Sequence, residues 1–310
     1  MAQIVTLTPN PAIDLSTSVD RIAPTLKLRC AQPRRDPGGG GVNVARLIKR
    51  FGGDVEAVLP VGGFTGELLR RLLEREEIPS RLIRAEADTR EDFSVSERST
   101  GSQYRFVLPG EPLRDLEWRE CLRTIAAAKP QFIVGSGSLP PGVPEDFYAQ
   151  AAAIARGQGA KFFLDTSGPP LAAAIEYGVD MIKPNLREMR ELTGAALLGE
   201  QDWIIAARRY VASGKVGAVA LSLGHLGAML ITRDQTLRAL PPPIKPISSV
   251  GAGDSFLGAV VYSLAKGKTL ADAFRLGVAA GSAALIQEGT ALCSPADAYR
   301  LVSEVSITAF

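Results

Sequence analysis

A run of small residues ends in a carboxylate at Val250-Gly251-Ala252-Gly253-Asp254-Ser255, just before a stretch with helical periodicity. Small residues let backbone N–H groups approach an anion closely, and a helix N-terminus adds the positive end of its dipole. The amides at 251–253 could therefore hold a phosphoryl group in transfer, with Asp254 placed to accept a proton from an attacking hydroxyl. An ordinary aspartate cap with glycines in a tight turn would give the same pattern, so both interpretations stay open.

Four successive glycines, at 38–41, precede Asn43 at the start of a second helical stretch. Each glycine costs about 0.5–1 kcal/mol relative to alanine in regular structure, so the run indicates that a ligand approaches the backbone closely. The amide of Asn43 could then bind a hydroxyl-rich ligand. A flexible loop is the alternative interpretation.

A third polar cluster is Lys183-Pro184-Asn185-Leu186-Arg187-Glu188, which follows a predicted strand. Asn185 and Glu188 are three residues apart, so at a helix start both can face one ligand. Their oxygen atoms suit Mg²⁺ and its water shell, although an Asn-x-x-Glu capping box has the same spacing. A fourth segment, Ser222-Leu223-Gly224 with Gly227, predicts a strand end and tight turn that could hold the phosphates or ribose of a nucleotide.

Two common nucleotide-binding motifs are excluded by residue type. The only Gly-Lys-Thr, at 267–269, follows a helical pattern and has Tyr262 where a Walker loop begins with glycine. The glycine runs that begin at 39 and 251 end on Val44 and Phe256, where a dinucleotide fingerprint requires its last glycine. The single histidine, His225, lies in a glycine-rich turn, which leaves general-base catalysis to carboxylates.

Composition favours a folded, charge-balanced protein. The 310 residues are 46% hydrophobic and 22% charged with a net charge of +2, which supports a sizeable core and predicts neither nucleic acid nor membrane as a partner. Three widely spaced cysteines, Cys30, Cys121 and Cys293, form no C-x-x-C pair. The chain shows no signal-peptide pattern and no apolar run of about 18 residues, so we expect a soluble, cytoplasmic protein.

Short apolar runs alternate with longer helical patterns, which is typical of βαβ units in a mostly parallel sheet flanked by helices. Strands are predicted at residues 4–7, 55–59, 132–135, 162–165, 181–183 and 218–223. Val44, Ile48 and Phe51 predict a helix after the glycine run, and a second helix is predicted from Asp254 to a cap at Gly267.

Residues 11–35 and 89–111 interrupt this alternation. They contain polar-alternating stretches at 16–20 and 27–35 and a predicted hairpin of residues 92–98 and 103–108, without a crossover helix. We interpret them as a small antiparallel β lid over an α/β core formed by residues 1–10, 36–88 and 112–310.

Taken in order, the motifs at 38–43, 183–188 and 251–254 resemble those of the ribokinase-like (PfkB) carbohydrate kinases, and the resemblance extends from about Ile4 to Ser294. Within that family the chain is most similar to the bacterial enzymes that phosphorylate fructose 6-phosphate. Segments 6–8 with Asp14, 27–30, 38–46, 103–110, 136–142 and 277–283 carry this closer likeness.

The resemblance implies a ribokinase-like α/β fold and transfer of a phosphoryl group from ATP, with Mg²⁺, to the 1-hydroxyl of fructose 6-phosphate. It makes Asp254 the base, with Gly251, Ala252 and Gly253 as the anion hole. The positions that match sugar contacts are Asp14, Gly39, Gly40, Asn43 and Ser138. The positions that match phosphate contacts are Lys27, Arg29, Arg90 and Arg105. The nucleotide side would comprise Lys183, Asn185, Ser222, Gly224, Gly227 and Ser248, with Mg²⁺ at Asn185 and Glu188.

The resemblance further implies a monovalent cation, K⁺, held by carbonyls of Ser248, Val250, Ala284 and Gly289. It also implies a homodimer formed through the lid, whose exposed strand edges give such pairing a physical reason.

Two other functions are compatible with these motifs. A 1-phosphofructokinase or tagatose-6-phosphate kinase would keep Asp254 and the glycines but hold the substrate phosphate differently, and Arg105 favours the 6-phosphate. A non-catalytic sugar-phosphate sensor would not need both Asp254 and Glu188, which are present.

Overall fold

The structure, a computed structural model, describes residues 2–248, 250–287 and 289–310. Its strands are β1 (Ile4–Leu7), β2 (Ala12–Val19), β3 (Arg34–Gly38), β4 (Val55–Val61), β5 (Ser80–Arg84), β6 (Arg90–Glu97), β7 (Gln103–Phe106), β8 (Phe132–Ser136), β9 (Lys161–Asp165), β10 (Val179–Ile182), β11 (Val216–Ser222), β12 (Ala228–Thr232), β13 (Thr236–Leu240) and β14 (Ser306–Ala309). Its helices are α1 (Gly40–Arg50), α2 (Gly63–Arg75), α3 (Asp115–Ala128), α4 (Phe147–Gln158), α5 (Gly168–Tyr177), α6 (Leu186–Thr193), α7 (Glu200–Ala212), α8 (Ala252–Ala265), α9 (Leu270–Leu285) and α10 (Pro295–Val302).

The large sheet has the order β14-β13-β12-β11-β10-β9-β8-β1-β4-β5 among the described residues. Its strands run parallel from β11 to β5, and β12 to β14 add an antiparallel edge. The mostly parallel sheet that the sequence predicted is therefore confirmed, with all six predicted strands in it.

Helices cover both faces of this sheet. Apolar residues of β11 alternate between the two sides: Ala218 and Ala220 pack into a core with α1, α2 and α8–α10, whereas Val219 and Leu221 pack into a second core with α3–α7. This two-residue period is what a strand buried on both faces requires. None of the helices that the structure describes is both long enough and apolar enough to cross a membrane.

The small sheet has the order β3-β2-β6-β7. Its outer pairs, β2–β3 and β6–β7, are antiparallel as predicted, and the hairpin turns across residues 98–102. The central pair β2–β6 runs parallel. Each of these strands continues from a core strand, β1 or β5, without an intervening helix, and those two core strands run in the same direction.

One prediction for this sheet was wrong: residues 27–33 form no strand, and β3 begins only at Arg34. Pro24 and Pro33 lack the N–H group that a sheet ladder needs. The segment between them is held to β2 at Ala31, whose N–H donates to Ser18 O at 2.8 Å and whose carbonyl accepts from Thr17 Oγ1 at 2.8 Å.

Candidate active site

Polar residues gather where the parallel strands end. Ser136, Asp165 and Ser222 are the last residues of β8, β9 and β11, and Lys183 directly follows β10. Carboxyl ends of parallel strands meet at one edge of a sheet, which is where ligands bind in open α/β folds. The N-termini of α1 and α8 also reach this edge, because Gly40 lies against the side chain of Ser136 and a Cβ atom on Gly253 would lie 3.2 Å from Nζ of Lys183.

Asp254 lies in the first turn of α8, and its Oδ2 accepts a 2.9 Å hydrogen bond from Nδ2 of Asn43. The N-cap of α8 is Gly251, at φ 74°, a left-handed conformation that favours glycine. The interpretation of Asp254 as an ordinary helix cap is therefore wrong. Its carboxylate faces the glycine-rich start of α1 instead of capping its own helix.

Burial raises the pKa of Asp254, while the hydrogen bond from Asn43 and the charges of Lys183, Arg105 and Arg46 lower it. The net shift is upward from the ordinary aspartate value of 3.8. A carboxylate with a raised pKa is a better proton acceptor than an ordinary aspartate near neutral pH.

Lys183 lies beside the amides that begin α8. A Cβ atom built on Gly253 would lie 3.2 Å from Nζ of Lys183, so the ammonium group and the helix N-terminus face the same space. The side chain of Lys183 is buried and forms a 3.1 Å ion pair with Oδ2 of Asp165. Burial lowers the pKa of Lys183, but the charge and hydrogen bond of Asp165, together with the charges of Glu188 and Asp254, raise it by more, so the lysine stays protonated.

Asp165 is a site residue that the sequence reasoning missed. It is the last residue of β9, and the register pairs Leu164 with Ile182, so Asp165 and Lys183 come next on neighbouring strands. The sequence feature that could have revealed Asp165 is an acidic residue at the end of a buried apolar strand.

Asn185 and Glu188 form the capping box that was the alternative to a metal site. Oδ1 of Asn185 accepts from the N–H of Glu188 at 2.9 Å, and Oε2 of Glu188 accepts from the N–H of Asn185 at 2.9 Å. Burial raises the pKa values of both Glu188 and Asp165, and the charge of Asp165 raises that of Glu188 further. A cation bound beside them would favour the ionised form of both carboxylates. No cluster of three metal-ligating acidic, cysteine or histidine residues occurs in the described residues.

A cavity of about 630 Å³ opens beside Gly253. Its polar lining includes the predicted nucleotide residues Asn185, Ser222, Gly224 and Gly227, and its apolar wall comprises Ile244, Phe256, Val278 and Leu285. Small-molecule sites combine this volume and an apolar lining with a few polar groups. The residues present therefore fit a nucleotide whose terminal phosphate reaches Lys183 and the α8 amides.

Asp14 lies in the middle of the small sheet, with Asp36 and Asp92 as its register partners on β3 and β6. Its side chain is buried, and no described residue forms a hydrogen bond or ion pair with its carboxylate. A Cβ atom on Gly38 would lie 2.5 Å from Cγ of Asp14, which explains one glycine of the run. Burial raises the pKa of Asp14 to about 6, although the charge of Arg105 lowers it.

The two predicted phosphate-binding arginines of the lid differ in their environments. Arg105, on β7, is exposed, and its charge acts on both Asp14 and Asp254. Arg90 is held by Oδ1 and Oδ2 of Asp92, each at 3.0 Å, and by the carbonyl oxygen of Leu108 at 2.7 Å. Nε of Arg90 is buried and has no partner among the described residues, so it is a donor that a phosphate oxygen could satisfy.

The remaining residues that were predicted to contact the sugar phosphate differ in whether the fold brings them to the site. Gly39 is the N-cap of α1 and Gly40 its first residue, next to Ser136. The hydroxyl of Ser138 accepts from Nδ2 of Asn10 at 3.2 Å. Lys27 and Arg29 lie on the exposed segment before β3 and form no hydrogen bond or ion pair with the described residues, so the structure does not bring them to the site.

Three of the four residues of the predicted cation site, Ser248, Val250 and Gly289, lie in loops, and Ala284 lies in the last turn of α9, where the N–H of Ser248 donates to the carbonyl of Leu285 at 3.1 Å. Oγ of Ser248 donates to the carbonyl of Gly289 at 2.8 Å and accepts from the N–H of Val250 at 3.2 Å. The carbonyl of Ala284 accepts from the N–H of Gln287 at 3.1 Å. The loops are thus adjacent, and the cation role of their carbonyls stays a prediction.

Comparison with known proteins agrees with this geometry. A family model described as pfkB family carbohydrate kinase matches residues 7–297. The chain belongs to the PfkB family of carbohydrate kinases. Its fold is the ribokinase-like α/β fold that the sequence predicted.

Members of this family with similar sequences include two named ATP-dependent 6-phosphofructokinase isozyme 2. The one from Mycobacterium tuberculosis is 46% identical over 96% of this chain and 88% of its own length. The one from Escherichia coli is 41% identical over 99% and 100%. A crystal structure of phosphofructokinase-2 from Escherichia coli in complex with potassium superposes with a TM-score of 0.94, covering 98% of this chain and 99% of that chain at 41% identity. A 1-phosphofructokinase of Bacillus subtilis is 31% identical over 98% and 99%.

Proposed function

We propose that this carbohydrate kinase transfers the terminal phosphoryl group of ATP to the 1-hydroxyl of fructose 6-phosphate, giving fructose 1,6-bisphosphate and ADP. The observation that carries the proposal is the 2.9 Å contact of Asn43 with Asp254 beside the α8 amides and Lys183. The choice of sugar phosphate is supported by 46% and 41% identity to 6-phosphofructokinases, against 31% to a 1-phosphofructokinase.

In the proposed reaction Asp254 accepts the proton of the 1-hydroxyl while that oxygen bonds to the terminal phosphorus. The bond between this phosphorus and the bridging oxygen of ATP breaks, and the electron pair leaves with ADP. Backbone amides at 251–253 and the ammonium group of Lys183 face the transferring group and stabilise its developing charge. Asp165 keeps Lys183 charged.

Substrate recognition is divided between the two sheets. We propose that Asp14 accepts hydrogen bonds from the sugar hydroxyls and that Asn43 donates to them. The Gly39–Gly40 backbone and Ser138 would also contact the sugar. Arg105 and the unpartnered Nε of Arg90 would bind the 6-phosphate, since guanidinium groups form paired hydrogen bonds with phosphate oxygens. Glu188, Asp165 and Asn185 would hold Mg²⁺ through water, and the bound ion would offset the negative charge of the ATP phosphates.

The test is an ATP-consumption assay with Mg²⁺ against fructose 6-phosphate, fructose 1-phosphate and tagatose 6-phosphate. We expect the highest kcat/KM for fructose 6-phosphate. Preference for fructose 1-phosphate would retain the base and anion hole and refute the placement of the phosphate at Arg90 and Arg105. The variant Asp254→Asn should lose roughly 10²–10⁴-fold in kcat while calorimetric binding of both substrates persists.

We further propose a homodimer through the lid, the part formed by residues 11–35 and 89–111, and a K⁺ ion at Ser248, Val250, Ala284 and Gly289. The dimer is supported by exposed apolar side chains at the end of β7 and directly after it, with Phe106 56% and Val107 58% exposed. Lys27 and Arg29, exposed on the same lid, could then reach a neighbouring subunit. Light scattering would give the molar mass, and a monomer would refute the dimer.

We also propose that the protein is cytoplasmic. Its three cysteines are unpaired, as is usual for proteins in a reducing compartment.

A further inference from the structure

Arg46 of α1 is an unusual residue for a protein core, because its side chain is 0% exposed. A buried guanidinium group is stable only when its N–H groups have acceptors and its charge is compensated. Arg46 ends the segment 38–46 that supports the family resemblance, but it is not among the predicted site residues, and it lies one helical turn from Asn43.

Every edge of this guanidinium is occupied. Nε and Nη2 donate to the two carboxylate oxygens of Glu76, at 2.9 and 2.6 Å, in a bidentate pair. Nη1 donates to the carbonyl of Pro37 at 2.8 Å and to Oδ1 of Asn43 at 3.1 Å. Nη2 also lies 3.6 Å from Oδ1 of Asp36. Arg46 therefore links the end of α2, the last residues of β3 and the start of α1.

The contact with Asn43 has a consequence for the carboxylate of Asp254. Because Oδ1 of Asn43 accepts from Arg46, its NH₂ group faces Oδ2 of Asp254 and donates to it at 2.9 Å. The reversed amide would place NH₂ against a guanidinium that can only donate and an oxygen against a carboxylate that, when ionised, can only accept. Arg46 thus permits one amide orientation and disfavours the other.

We propose that Arg46 is a positioning residue for the base: it orients the Asn43 amide so that a hydrogen bond holds Asp254 in its ionised, proton-accepting form. This inference rests on the proposed role of Asp254 as the base. Glu76, which binds the other edge of Arg46, keeps the guanidinium in place.

Several charged groups act on Asp254 from the surrounding elements. Lys183, Arg105 and Arg46 favour its ionised form, whereas Asp14 and Asp165 oppose it. The hydrogen bond from Asn43 is the strongest of the favourable influences and is exceeded by burial. Losing the guanidinium would remove one positive charge and release the amide, so Asp254 would take up its proton at a higher pH.

The experiment compares Arg46→Met with Arg50→Met. Arg50 lies one turn further along α1 and binds the same Glu76, at 3.5 Å, but it makes no contact with Asn43. We measure kcat/KM against pH with whichever sugar phosphate the protein turns over fastest. We expect the acid limb of Arg46→Met to move up by about one pH unit, so that activity falls by up to about tenfold at pH values on this limb and recovers at higher pH. The acid limb of Arg50→Met should match that of the unaltered protein.

An acid limb that stays in place in a folded Arg46→Met protein would overturn the proposal. If Arg46→Met unfolds because Glu76 loses its partner, the double variant Arg46→Met/Glu76→Gln also removes the unpaired charge. Its acid limb should show the same upward shift. Neutron diffraction from crystals of the unaltered protein gives an answer that needs no variant. The Asn43 nitrogen toward Asp254 supports the proposal, and the reverse orientation overturns it.

The control Asp254→Asn separates this inference from the proposed function. If Asp254→Asn retains its turnover, the assignment of the base fails. If it is inactive while Arg46→Met keeps the unaltered acid limb, the assignment stands and the role of Arg46 fails alone.

Discussion

Asp14 gives the sharpest test of how this site is built, because it is a buried carboxylate without a partner among the described residues. Its pKa is raised from 3.8 to about 6, first by burial. A shift of about two units corresponds to about 3 kcal/mol at 1.36 kcal/mol per unit, and with only 3% of the residue exposed, solvent screening takes little of it away. We therefore expect Asp14→Asn to stabilise the fold by up to about 3 kcal/mol at pH 7.5.

The sign of the pH dependence follows from the direction of the shift. The folded carboxyl holds its proton more tightly than the unfolded one, so the destabilisation is fully present above pH 6 and fades as the pH falls toward 3.8. Urea unfolding followed by fluorescence at several pH values between 4 and 8 measures this directly. The free-energy difference between Asp14→Asn and the unaltered protein should shrink toward zero at the acid end.

Asp92→Asn is the matched control, since Asp92 is the register partner of Asp14 on the neighbouring strand. Its carboxylate is bonded to Arg90 and to the N–H of Leu108, at 3.0 Å, so its neutralisation should destabilise the fold. Asp14→Asn should also raise the KM for the sugar phosphate, because an unpartnered carboxylate is available for its hydroxyls. A variant that is no more stable at pH 7.5, or whose stability gain does not change with pH, would refute the reasoning.

Two further predictions concern the charges around the transferring group. Asp165→Asn should lower kcat and move the alkaline limb of its pH profile to lower pH, because Asp165 raises the pKa of Lys183; an unmoved alkaline limb would exclude this pair from the chemistry. Arg105→Ala should raise the KM for fructose 6-phosphate by roughly 10-fold or more with a small change in kcat, as expected for loss of a charged phosphate contact. An unchanged KM would mean that Arg105 does not bind the substrate phosphate.

The core could be predicted from the sequence because its strands are buried on both faces. β1 has four buried residues in succession, and β11 has buried residues at five of seven positions, so each appears as an apolar run. β5, at the sheet edge, has one buried residue, Ile83, among partly buried and exposed ones, and its apolar signal is correspondingly weak. β12 and β13 are joined by a short turn instead of a crossover helix, so the alternation of strands and helices does not reveal them.

The site could be predicted where reactive residue types follow a glycine-rich entry to a helix. Glycines mark the start of α1 directly after β3 and the start of α8 after a loop, and Asn43 and Asp254 follow in the first helical turns. Arg46 gives no such signal, because its partner Glu76 lies 30 residues away and only folding brings the two together. For Asn185 and Glu188 the spacing of a capping box and of a cation site is the same, so sequence alone could not separate them.

The arrangement of charges also predicts how substrate binding should change the pKa of Asp254. Arg105 lowers the pKa of Asp254 in the free protein, opposing the effect of burial. A bound sugar phosphate that pairs with Arg105 would neutralise this influence, so the pKa of Asp254 should rise when the substrate is in place. Because kcat/KM reports the free enzyme and kcat the bound complex, the acid limb of kcat should lie at higher pH than that of kcat/KM. The difference should vanish in Arg105→Ala, and a difference that persists there would show that another group responds to the substrate.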